Sequence, residues 1–95
     1  MTDIVVNNKG WTDINTETGI ATGVDVRIQN KGYHGVVFQV TDTQPDADDD
    51  DGAYITGANL PTPYVDFVDE TETIYAKVLS SSENMKASRL NVSEI

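Results

Sequence analysis

Hydrophobic residues in this chain recur at every second position in many short runs, and nowhere sustain the 3.6-residue period of an amphipathic helix. The clearest run is Val24 to Asn30, where Val24, Val26 and Ile28 point one way and Asp25, Arg27 and Gln29 the other. The next is Val36 to Thr41, with Val36, Phe38 and Val40 inward and Val37, Gln39 and Thr41 outward. The link Lys31-Gly32-Tyr33-His34-Gly35 is predicted as a hairpin loop, because a glycine near each end supplies positive φ without a Cβ clash.

Further strands are predicted at Tyr64 to Val68, Thr73 to Leu79 and Ser88 to Val92. Weaker ones fall at Asp3 to Val6, Trp11 to Ile14 and Ala53 to Thr56. Seven to eight short strands separated by Gly, Asn, Asp and Ser clusters define an all-β class, a small antiparallel β-sandwich or β-barrel. The expected organisation is a single domain over 1–95, with residues 1–8 as a candidate extended N-terminal arm. The segment Leu79 to Lys86 reads as a long hairpin connection. The segment Thr41 to Gly52, TDTQPDADDDDG, reads as a solvated, mobile loop, since adjacent like charges repel.

Composition narrows the picture. In 95 residues there is no cysteine, which removes disulfides, thiolate metal sites and thiol catalysis. A chain this short buries about 60–65% of its unfolded surface, so added stability is expected from self-association or a larger partner. Sixteen acidic against six basic residues give a net charge of −10. That charge opposes the counterion release that drives nucleic-acid binding, and no apolar run is long enough to span a membrane. Met1-Thr2-Asp3 is not the start of a signal peptide, so use without export is expected.

The aspartate run invites comparison with a calcium-binding loop, whose carboxylates would converge on the ion. Starting an EF-hand at Asp46 places Asp51 where glycine is needed and Gly57 at the bidentate glutamate position, and a shifted start fails further. At most a weak, nonspecific cation site remains there. His34 is the only histidine and sits beside Tyr33, so no multi-histidine site is available. Ser80, Ser81, Ser82, Ser88 or Ser93 could accompany it, yet no nucleophile elbow is present. Asp69 with Glu70, or Asp66 with Glu72, would need an apolar cleft to act as an acid and base pair. No catalytic residue, cofactor or metal is assigned, and the expectation is a non-enzyme. Trp11 is assigned to the core or the closing of a sheet. Tyr33, Tyr54, Tyr64 and Tyr75 suit a protein interface.

Several segments taken in order resemble small structural proteins of tailed bacteriophage virions. These are Trp11-Thr12-Asp13-Ile14, Thr18 to Gly23, Val26-Arg27-Ile28-Gln29-Asn30-Lys31-Gly32, Pro45 and Gly52, Ile74-Tyr75-Ala76-Lys77 and Leu90-Asn91-Val92. The resemblance implies a β-sandwich or β-barrel that decorates or cements a capsid, or forms a head fibre, neck or tail part. It implies the major capsid protein as partner, a homo-oligomer with a trimer as one form, and a place on the capsid surface after synthesis in the host cytoplasm. The candidate interface residues are Ile4, Val5 and Val6, offered as an added edge strand, with Tyr33, Tyr54 and Tyr64. Two other functions compete: a tail or fibre adhesion module with the loop tyrosines as its platform, and an acidic DNA mimic. The second is disfavoured because the acids crowd into one loop instead of spacing themselves over a face.

Overall fold

The computed structural model describes residues 2–57 and 63–95. Its elements are β1 (Thr2–Asn7), β2 (Thr12–Asp13), α1 (Ile14–Thr18), β3 (Val26–Asn30), β4 (Val36–Thr41), β5 (Ala53–Ile55), β6 (Tyr64–Phe67), β7 (Thr73–Val78) and β8 (Ala87–Glu94). They form two four-stranded antiparallel sheets, ordered β1-β8-β3-β6 and β2-β7-β4-β5. The fold is therefore a β-sandwich, one of the two architectures that the alternating pattern allowed.

The inward positions of both sheets make one core. Val6, Val26, Ile28, Phe67, Leu90 and Val92 come from the first sheet, and Val36, Phe38, Ile74, Ala76 and Val78 from the second. Phe38 and Phe67 meet across the layers with ring centroids 5.4 Å apart at a tilt of 60°, a favourable arrangement for aromatic quadrupoles. Val24, expected to face inward, lies outside β3 and is partly exposed.

Strand connectivity departs from the sequence reading. Only β4 and β5 form a hairpin; every other connection changes sheet. The link Lys31–Gly35 is thus an arch between layers, and no ladder joins β3 to β4. Alternation is blind to this difference, because β3 and β4 turn the same residues inward whether they pair or face each other. Asn30 decides it. Its side chain is fully buried, with Nδ2 donating to the carbonyls of His34 (2.7 Å) and Thr56 (2.9 Å), and Oδ1 accepting from Gly32 N–H (3.1 Å) and the Ser88 hydroxyl (2.6 Å). The arch backbone thereby finds partners without a strand beside it.

The two arch glycines also serve a different purpose from the one expected, since neither has positive φ. A Cβ on Gly32 would collide with Ser88, 2.8 Å from its Cα, and one on Gly35 would collide with the Tyr54 ring. Gly32 needs glycine because the backbone of β8 comes so close, whereas at Gly35 the exposed end of Tyr54 can swing aside.

Residues 79–86 likewise cross between sheets instead of closing a hairpin. A second asparagine organises this crossing: Asn8 Nδ2 donates to the Ser82 carbonyl (3.1 Å), and Lys86 N–H donates to Asn8 Oδ1 (2.9 Å). The weak strand expected at Asp3 to Val6 forms, and the segment given as a candidate arm is part of it. Residues 2–7 pair with β8 over their whole length, and Val6 is buried, so the segment belongs to the sandwich; Met1 lies outside the described residues. The single helix turn α1 was not anticipated, being too short to show a period. Its signals were local: Asp13 caps it by accepting from Thr16 N–H (2.9 Å), and Gly19 ends it in a left-handed conformation.

Asn30→Ala leaves two carbonyls, an N–H and a buried hydroxyl without partners, so the expected cost is about 3 kcal/mol. Urea denaturation checks this, with a matching fall in Tm of roughly 10–20 °C. Asn30→Asp, which keeps the shape but loses both donors, is expected to cost at least as much.

Candidate interaction surface

Because side chains alternate across each sheet, the residues turned away from the core line two outer faces of different character. On the second sheet, Val37, Tyr75 and Lys77 point outward, yet all three are buried. Val37 and Tyr75 form a second cluster with Trp11, and the Asp-rich loop holds Trp11 and Lys77. Trp11 Nε1 donates to the carbonyls of Asp46 (3.0 Å) and Asp49 (3.1 Å). Lys77 Nζ donates to the carbonyls of Ala47 (2.9 Å) and Asp49 (2.8 Å), and pairs with the Asp50 carboxylate. The ammonium also lies 5.2 Å from the Trp11 ring centre, within cation–π range.

The loop expected to be mobile is therefore pinned. The mutual repulsion of its aspartates is offset by a cation whose side chain is only 4% exposed, while Asp50 stays 63% exposed. Asp51 N–H donates to Asp49 and holds its carboxyl below the usual carboxylate range. No group of three or more potential metal ligands converges among the described residues. The cation that the loop encloses is the protein's own lysine. Trp11 is buried, in a cluster separate from the core between the sheets, and Tyr75 is buried with it and is withdrawn from the interface tyrosines. Burial, followed by the nearby charges of Asp13 and Asp42, pushes its phenol up.

The outer face of the first sheet is open. Its rows follow from the strand registers: Asp3, Asn91, Gln29 and Tyr64 in one, Val5 and Arg89 in the next, Ser93, Arg27 and Asp66 in a third. Arg27 makes a two-pronged pair with Asp66 (2.7 and 3.0 Å) and stacks 4.3 Å from the Tyr64 ring centre. Asp3 accepts from Asn91 (2.7 Å) and pairs with Lys31 (3.2 Å). Both carboxyls are held below their usual values, Asp66 chiefly by the Arg27 hydrogen bonds and Asp3 chiefly by Asn91, then Lys31. Arg27, Arg89 and Lys31 thus place three of the six basic residues on or beside this face, against two acids.

The expected interface residues do not form one patch. Tyr64 lies on the first outer face and is half exposed; Tyr54 lies on the second, over Gly35; Tyr33 stands on the arch, 91% exposed. In β1 only Val5 is available to a partner, at 60% exposure; Val6 is in the core and Ile4 packs against it. His34 is half buried, its carbonyl accepting from Asn30. Asp66, one half of the Asp66 with Glu72 pair weighed above, is engaged by Arg27. Asp69 occupies a turn with φ 59°, its N–H donating to Asp25 (3.0 Å). The contrast between the two outer faces was the functional feature missed from sequence. Its signal was the outward phase of Arg27 and Arg89 in alternating strands.

Comparison with known proteins found no family model, no curated protein and no solved structure that matches this chain.

Lys77→Met removes the cation but leaves the loop carbonyls free to reach water, so a loss of about 1–2 kcal/mol is expected. Limited proteolysis should then cut between Asp46 and Asp51, and Trp11 emission should shift to longer wavelength. A second expectation concerns acid. Asp3 and Asp66 titrate lower folded than unfolded, so their contribution is complete above the unfolded value and lost as pH falls through the folded one. Thermal melts from about pH 5 downward should show Tm falling, with a shallower slope in Asp66→Asn.

Proposed function

We propose that this chain is a non-enzymatic structural protein of a phage virion, which binds the capsid surface and decorates or cements it. The observation that carries the reading is the unequal charge of the two outer faces. One face gathers Arg27, Arg89 and Lys31 around Tyr64, whereas the other is capped by a loop holding six of the sixteen acids. A particle-bound module gains from this division. The less acidic face approaches the underlying lattice without repulsion, and the acidic loop faces solvent and keeps particles apart. The tightly filled core and paired carboxylates suit a rigid adaptor. The resemblance in Val26–Gly32, Ile74–Lys77 and Leu90–Val92 supports the same assignment.

The partner is then the major capsid protein, and the location the capsid exterior. Tyr33, the most exposed aromatic ring, favours a second reading as a tail or fibre adhesion module.

Particle reconstitution tests both. Purified protein mixed with capsids lacking it should co-sediment and give regular lattice density by electron microscopy. Arg89→Glu, on an exposed residue, should bind roughly tenfold or more weakly with an unchanged melt. Protein left in the supernatant overturns the reading, and density confined to a tail transfers it to adhesion, where Tyr33→Ala should abolish adsorption.

A further inference from the structure

The edges of the two sheets are unequal. The second sheet ends in β2 and β5, of two and three residues, and β6 of the first sheet has four and follows Pro61 and Pro63. Short strands and nearby prolines blunt an edge against pairing. β1 has neither protection: it runs six residues, Thr2–Asn7, without proline or lysine.

Its hydrogen-bonding phase can be read from the strand ends. Asn8 N–H donates to the Lys86 carbonyl (3.1 Å), continuing the β1–β8 ladder, so the even-numbered residues of β1 face β8. The opposite side of β8 agrees, since Lys31 N–H donates to Arg89 (2.8 Å) and Ile95 N–H donates to Asp25 (3.0 Å). The N–H and C=O groups of Asp3, Val5 and Asn7 therefore point outward, and no described residue hydrogen-bonds to them. Helix α1 packs beside β1 with Ile14 in the core, and it makes no hydrogen bond to these groups.

We propose that β1 pairs with β1 of a second copy of this chain, antiparallel, about a two-fold axis through Val5 and normal to the sheet. Three features select this occupant. A two-fold at Val5 sets Val5 opposite Val5 and Asp3 opposite Asn7, and these are the residues whose backbone groups are free. Each copy also keeps its own faces, so Ile4 and Val6 stay inward and two exposed valines cover each other on the outer face. Finally, no acid meets an acid: Asp3, the one carboxylate of the edge, is already held by Lys31 and Asn91 and faces an amide. In a chain of net charge −10 this edge lets two copies approach with little local repulsion. The product is a continuous eight-stranded sheet whose outer face carries both Arg27–Tyr64 stacks.

Sedimentation equilibrium on the purified full chain tests the proposal without capsids, so its outcome is separate from that of the virion reading. The expected mass is twice 10.4 kDa, with dimer favoured by added salt as the remaining repulsion is screened. Val5→Pro removes an outward N–H that the β1–β8 ladder does not use, and Val5→Lys sets two ammonium groups face to face at the axis. Both should sediment as monomers with wild-type circular dichroism. A wild-type chain that stays monomeric at every concentration and salt, a trimer, or a dimer that survives Val5→Lys overturns it.

Discussion

The fold turns on the Asn30 carboxamide, closed inside the sandwich with both of its polar atoms saturated. An arch between two layers strands its backbone groups where no neighbouring strand can receive them, and water is excluded from the buried end of β3. One side chain supplies two donors and a two-fold acceptor at the required place, tying the arch, the end of β5 and Ser88 of β8 together. Asn8 solves the same problem at the crossing into β8. A sandwich in which all connections but one change sheet is thus held by amides at its turns as well as by ladders.

Charge is the second constraint. Six aspartates in twelve positions would extend a free loop, but here its carbonyls converge on the Lys77 ammonium and the Trp11 indole. Placing a lysine on the outer side of a central strand carries a desolvation cost, which three oxygen partners and an aromatic face offset. Trp11 clusters there with the buried Val37 and Tyr75, so the second sheet has apolar material on both sides. The first sheet remains open, nearly balanced in charge, with its acids already paired. A surface with that character can approach a neighbour that the rest of this acidic molecule would repel, and the proposed role and the β1 pairing both draw on it.

Legibility from the sequence followed physical scale. The inward residues Val26, Ile28, Val36, Phe38, Ile74, Ala76, Val78, Leu90 and Val92 were all readable, because a period of two is a local property of the strand. Tyr75 and Val37 were misjudged as exposed, since the element covering them comes from a distant, strongly polar segment. Val6 lies in a segment readable both as a weak strand and as an arm, because a short apolar run carries no mark of which chain it will pair with. The candidate surface is partly visible in the sequence: Val5 and Tyr64 are among its candidate residues, and Arg27 is read as outward, but nothing local marks Arg89.

An all-β chain of about eight short strands, their inward faces, the lack of cysteine and the strong negative charge are legible along the chain, since each depends on composition or on neighbours within a few residues. That β3 and β4 face each other across the core, that the Asp-rich loop folds back on Lys77, and that β1 is an unprotected edge emerge only in three dimensions. Those outcomes rest on contacts between residues 26 to 90 positions apart, such as Asn30 with Thr56 and Ser88, Lys77 with Ala47, or Thr2 with Val92. Periodicity carries no information at that separation, because the same alternation satisfies a hairpin, an arch or a neighbouring molecule equally well.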